Sequence, residues 1–104
     1  MSWTKIAPVE ALPVGSGVRV EIGRHRVAVF RIDSDVYAIG DRCSHAEASL
    51  AEGELFDHEI ECPRHGSTFD LTTGEPDALP ATKPVPTYDV RVEDGDVYLL
   101  LEDE

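Results

Sequence analysis

A chain of 104 residues has the length of one domain with a modest core. Nine Lys and Arg against 21 Asp and Glu leave a net charge of −12, which disfavours nucleic acid and anionic membrane surfaces as partners and favours attraction to a positively charged protein face. No run of about 18 apolar residues is present to span a bilayer, and Met1-Ser2-Trp3-Thr4-Lys5 lacks the apolar stretch of a secretory signal, so the expected compartment is the cytoplasm.

In chain order, Val18-Arg19-Val20-Glu21-Ile22 alternates apolar and polar residues, the period of a strand with one buried face, and Gly23-Arg24 breaks it. The run from His25 to Ile32 continues with β-branched residues, Asp33-Ser34-Asp35 reads as a turn, and Val36-Tyr37-Ala38-Ile39 as the returning strand. From about Asp41 to Pro80 the texture changes. Glycine and proline recur, and alternation survives only at Glu59-Ile60-Glu61 and Thr68-Phe69-Asp70-Leu71. The one helix-like window, Ala46–Leu50, is long enough for a turn only. Alternation returns at Tyr88-Asp89-Val90-Arg91-Val92, and the turn Glu93-Asp94-Gly95-Asp96 leads into Val97–Leu101 to close a hairpin; Glu102-Asp103-Glu104 is a frayed end. The expectation is a single all-β domain: a base of antiparallel strands from about 1–40 and 81–104, whose two ends pair, with a loop-rich subdomain inserted at about 41–80.

That insert holds the only two cysteines, and each has a histidine within three positions: Cys43-Ser44-His45 and Cys62-Pro63-Arg64-His65, with sixteen residues between His45 and Cys62. With no export signal, a disulfide is the weaker use of these residues. Gly66 removes side-chain bulk where the second loop must turn, and Pro63 stiffens it. Three chemistries compete. Two thiolates and two imidazoles form a common structural zinc set, but zinc fingers usually keep cysteines together and histidines together. A cysteine nucleophile with a histidine base leaves the second pair unexplained. Mixed pairs suit a two-iron cluster better, because each loop supplies one thiolate to the first iron and one imidazole to the second.

The run Cys43-Ser44-His45, then Cys62-Pro63-Arg64-His65-Gly66-Ser67-Thr68-Phe69-Asp70, then Thr73-Gly74-Glu75-Pro76 and Leu79-Pro80-Ala81, resembles the Rieske-type 2Fe-2S ferredoxins, the electron carriers of ring-hydroxylating dioxygenase systems. The resemblance covers essentially the whole chain. It implies the Rieske fold and one 2Fe-2S cluster, with Cys43 and Cys62 on the inner iron and His45 and His65 on the outer, more exposed one. It also implies that the loop around Asp77–Ala81, with Pro80, covers the cluster, and that Gly66 and Ser67 stand close behind the ligands. Two thiolates leave the oxidised centre neutral where four would leave it dianionic, so it accepts an electron more readily than a plant-type cluster, within about −150 to +300 mV. No cysteine is left for the loop-bridging pair of high-potential relatives, which points to the low end. Ser67 matches a hydroxyl that raises the potential, but Phe69 stands where those relatives have a tyrosine. Imidazoles on ferric iron lose protons more readily than free histidine, so the potential should fall at alkaline pH.

His25 and His58 read as half-buried or surface residues, and Trp3, Phe30, Phe56 and the tyrosines as core or rim. Leu50, Leu55 and Phe69 read as packing around the cluster loops. No length remains for a substrate-binding second domain and no flavin or nucleotide fingerprint appears. The expected role is therefore a one-electron carrier with no catalytic residues of its own. It would be a monomer, taking electrons from a flavin reductase and passing them to a terminal oxygenase through basic docking faces on those partners. The alternatives are a Rieske protein serving nitrite reductase or iron–sulfur assembly, and a zinc-bound interaction module on the same four residues.

Overall fold

A computed structural model describes residues 2–33, 35–43, 48–64, 66–77 and 83–101. Its organisation follows from the strand β3, His25–Ile32, in which Val27, Ala28, Val29 and Phe30 are all fully buried. A strand with one buried face alternates; burial at four successive positions requires a sheet covered on both sides. The sheet in question joins β2 (Gly17–Ile22), β3, β4 (Asp35–Gly40) and β8 (Thr87–Tyr88), antiparallel and in the order β2-β3-β4-β8.

Val27, Val29 and Ala38 point to one side and pack with Val97, Leu99 and Leu101. The latter belong to a three-stranded sheet of β1 (Ser2–Pro8), β10 (Asp96–Leu101) and β9 (Val90–Glu93), in the order β1-β10-β9. The opposite side of the central sheet carries Ala28, Phe30 and Ile39, which pack with both cysteines, Leu50, Ile60 and Phe69. Ile60 and Phe69 come from a small sheet of β5 (Glu54–Phe56), β6 (Glu59–Glu61) and β7 (Thr68–Asp70). The described residues thus form three antiparallel layers and are all-β apart from two single-turn 3-10 helices, Val9–Ala11 and Leu50–Glu52.

The segments read as strands at 18–22, 25–32, 36–39 and 97–101 are strands. The expected strand at 88–92 is instead two strands in different sheets. Tyr88 pairs with Ala38 of β4, whereas Val90 pairs with Leu99 of β10. Asp89 forms the corner, its carbonyl accepting the Leu100 N–H at 3.1 Å. β1 was hidden from the pattern because its register slips between Lys5 and Ala7, which breaks the alternation. β1 pairs with β10 from Ser2↔Leu101 to Pro8↔Asp96, so the two ends of the chain share a sheet. Of the window expected to turn at Ala46–Leu50, residues 46 and 47 lie outside the described residues, Ser49 forms a bridge to Arg42, and the 3-10 turn begins only at Leu50 and runs to Glu52.

Candidate metal centre

Both cysteines stand at the neck of a hairpin-like loop, and the two necks are built alike. After β4 ends, Asp41 N–H still donates to the Arg26 carbonyl (3.1 Å), so the ladder runs one residue further. Arg42 bridges to Ser49 across the neck, Cys43 N–H donates to the Ala48 carbonyl (3.1 Å) and Leu50 N–H to the Asp41 carbonyl (2.7 Å). In the second loop the last β6–β7 pair is Glu61↔Thr68; Cys62 N–H then donates to the Ser67 carbonyl (2.6 Å). In each case the cysteine N–H closes the loop onto the carbonyl five residues ahead. Gly66 N–H returns to the Cys62 carbonyl (3.2 Å) with φ of 75°, left-handed backbone that glycine enters without a Cβ clash.

Neither cysteine is in a disulfide; Cys43 is 3% and Cys62 1% exposed, and both belong to the packed layer between the central sheet and β5-β6-β7. Ser67 has no exposure. His45, His65 and Pro80 lie outside the described residues. Buried thiols are ordinarily poor metal ligands because burial disfavours the thiolate, so two of them at matched necks fit a centre whose positive charge offsets that cost. Among the described residues no group of three or more His, Cys, Asp or Glu side chains could hold a metal ion by itself. The donor set therefore fits the inner, sulfur-ligated half of a mixed thiolate–imidazole centre.

Two supports of this region were not legible from spacing. Asp41 is 1% exposed, and its Oδ1 accepts from Ser49 Oγ (2.8 Å) and Ala51 N–H (3.0 Å), which clasps the first loop to the 3-10 turn behind it. An acidic residue just before a Cys-x-His motif was the available signal. The second is Gly74, with φ of 76°, where an added Cβ would overlap the Val85 carbonyl oxygen. Gly74 N–H donates to the Asp70 carbonyl (2.7 Å) and its own carbonyl accepts Val85 N–H (2.9 Å). Asp77 N–H donates to the Thr68 carbonyl (2.7 Å), so the chain on both sides of residues 78–82 is anchored beside β7.

The remaining candidates stand apart from the necks. The exposed His58 ring meets Tyr37 edge-on at 5.5 Å between centroids, and His25 meets Tyr88 edge-on at 5.9 Å. Leu50 and Phe69 are fully buried in the cluster-side layer, with Leu55 partly buried against it. Phe30 is core, but Trp3 and Phe56 are 42% and 50% exposed rather than buried; Trp3 faces outward from β1 and carries the Arg91 guanidinium 5.6 Å from its ring centroid. The Thr72 hydroxyl and N–H hold the Asp70 carboxyl below its usual range, while a side-chain hydrogen bond with Asp77, together with desolvation and neighbouring carboxylates, pushes Glu59 upward.

Residues 2–89 match the Rieske 2Fe-2S domain, and the chain belongs to that family. Its relatives within the family include dioxygenase ferredoxins. The chain is 43% identical over 105 residues to the 3-phenylpropionate/cinnamic acid dioxygenase ferredoxin subunit of Photorhabdus laumondii subsp. laumondii, covering 100% of this chain and 99% of that protein. The ferredoxin of carbazole 1,9a-dioxygenase from Nocardioides aromaticivorans IC177 superposes with a TM-score of 0.93 at 36% identity, over 98% of this chain and 100% of that one. A ferredoxin in a complex of reduced oxygenase and oxidized ferredoxin in carbazole 1,9a-dioxygenase superposes with a TM-score of 0.87 at 39% identity, over 93% and 91% of the two chains. The cofactor is one Rieske-type 2Fe-2S cluster, and the chain is an electron carrier rather than a catalyst. None of its described helices is long and apolar enough to cross a membrane.

Proposed function

We propose that Cys43, His45, Cys62 and His65 hold the cluster, and that the chain carries single electrons from a flavin reductase to a terminal ring-hydroxylating oxygenase. The observation that carries the ligand assignment is the equivalence of the two necks: each cysteine closes its own loop by the same hydrogen bond, and both thiols lie in one buried layer. When bound, the cluster supplies one-electron redox chemistry. The chain's residues do the rest. Cys43 and Cys62 would hold the sulfur side from the buried layer, while His45 and His65 would hold the nitrogen side and pass the electron to a docked partner. Residues 41–80 act as the cluster-binding subdomain on a base made by 1–40 and 81–104. Gly66 permits the second loop's turn, Ser67 donates toward the cluster, and Pro80 covers it. A monomer in the cytoplasm suits a diffusing carrier that must meet two partners in turn.

Relatives that are dioxygenase ferredoxin subunits, and a structural neighbour in complex with an oxygenase, support the choice of acceptor. The net charge of −12 supports basic docking faces on both partners. The test is a purified brown protein with a reduced-state EPR signal of Rieske type, lost on His45→Ala or His65→Ala, followed by stopped-flow reduction by a flavin reductase and oxidation by a terminal oxygenase. Transfer rates should fall as salt rises, because ions screen attraction beyond about 8–10 Å at physiological ionic strength. A Rieske EPR signal that survives either histidine substitution refutes the ligand assignment, and salt-independent transfer refutes the steering.

A further inference from the structure

Arg19, Arg26 and Arg42 line one surface cavity of about 220 Å³, together with Asp41, Ser49 and Glu52. The β2–β3 register brings the first two together: Glu21 lies opposite Arg26, so Arg19, two residues earlier on the same face, is a diagonal neighbour of Arg26. The third comes from the neck of the first loop, because Arg42 precedes Cys43 and bridges to Ser49. A cavity with three guanidinium side chains therefore abuts the loop that carries Cys43 and His45. This gathers three of the nine Lys and Arg residues of a chain with net charge −12. The sheet does not need Arg19 and Arg26 there. Arg26 pairs with Glu21 at 3.3 Å with both side chains 55% exposed, a geometry that contributes little stability. No ion-pair partner of Arg19 is present among the described residues. Asp41 already has its Oδ1 engaged by Ser49 and Ala51.

We propose that this cavity receives a carboxylate side chain of the electron-transfer partner, an acidic residue projecting from an otherwise basic docking face, and so fixes the orientation in which that partner meets the first loop. The inference rests on the reading that the chain delivers electrons to a protein partner. Guanidinium groups match the two oxygens of a carboxylate with paired N–H donors. A free anion is a poor occupant: the overall negative charge repels it, and exposed arginines hold it weakly in water. A carboxylate carried in by a docked protein acts at an effective concentration in the millimolar range or above, where a weak site suffices. The acidic surface attracts a basic face at long range but does not select among orientations. One contact of inverted sign beside the electron exit selects one.

Arg19→Glu and Arg26→Glu, singly and combined, test this without touching either loop neck. In oxidised, cluster-bound wild type, sodium acetate raised well above the millimolar effective concentration of a docked group should shift the Nε–H signals of Arg19 and Arg26 in NMR spectra, where sodium chloride at the same ionic strength does not. In the variants the reduction potential and visible circular dichroism should match wild type. Reduction of cytochrome c, a cationic acceptor drawn only by the general acidity, should be as fast as wild type or faster, while reduction of the terminal oxygenase should slow by about tenfold per substitution. Nε–H signals that ignore acetate overturn the proposal, and so does an oxygenase rate that is unchanged or that falls in step with the cytochrome c rate. A wild type that reduces cytochrome c but no terminal oxygenase defeats the acceptor reading itself, and the docking role with it, even where acetate shifts both signals.

Discussion

Replacement of Asp41 by alanine isolates the clasp behind the first loop. The side chain is 1% exposed and accepts two hydrogen bonds, from Ser49 Oγ at 2.8 Å and Ala51 N–H at 3.0 Å. Hydrogen bonds to a carboxylate contribute about 1.5–3 kcal/mol each, so losing both in Asp41→Ala should cost about 3–6 kcal/mol. That is a large share of the about 5–15 kcal/mol that holds a domain together, and for a chain near 100 residues it corresponds to a drop of roughly 10–30 °C in unfolding temperature. Because unfolding is coupled to loss of the cluster, the comparison belongs at one scan rate, by calorimetry and by bleaching of the visible absorbance. Asp41→Asn keeps an oxygen that can accept both bonds and should lose less than half as much. Hydrogen exchange localises the effect: the Ala51 and Cys43 amides should lose protection in Asp41→Ala ahead of those in β10. An Asp41→Ala protein that unfolds within about 2 °C of wild type, where only a few tenths of a kcal/mol are at stake, would refute the idea that this carboxylate holds the neck.

Gly74→Ala should destabilise by about 2–4 kcal/mol and speed cluster loss, because it adds a left-handed penalty of about 1–2 kcal/mol to an overlap with the Val85 carbonyl; the decay of visible absorbance in mild urea measures it. Ser67→Ala should lower the reduction potential by roughly 40–60 mV, the one-electron equivalent of a hydrogen bond worth about 1–1.4 kcal/mol. Redox titration followed by circular dichroism decides this, and no downward shift removes the serine's role. Asp70 has its folded pKa lowered by Thr72, so its contribution to stability is present above the ordinary carboxylate pKa and is lost as pH falls through the lower folded value. Thr72→Val should therefore move the acid unfolding midpoint to higher pH, which melting curves between about pH 2 and 5 will show.

Much of this protein was legible in its residues. Alternation located the strands of the central sheet and the last hairpin, because side-chain period two records which face of a strand is buried. The Cys-x-His and Cys-x-x-His pairs were legible for a similar reason: ligand type and loop spacing are local properties. What period two does not record is the partner on the buried side. Val27 to Phe30 read as strand without saying that one face meets β10 and the other meets the cysteines. Tyr88 to Val92 alternates through a corner, so the division of that run between two sheets at Asp89 depends on which neighbours, β4 and β10, offer free edges there. The Asp41 clasp, the Gly74 approach to Val85 and the arginine cavity each join segments distant in sequence or set by register across strands. The sequence by itself determined the chemistry of the centre and the strand content, both carried by short windows of residues. Only the tertiary structure decided which surfaces meet, because that depends on packing between windows that no local pattern connects.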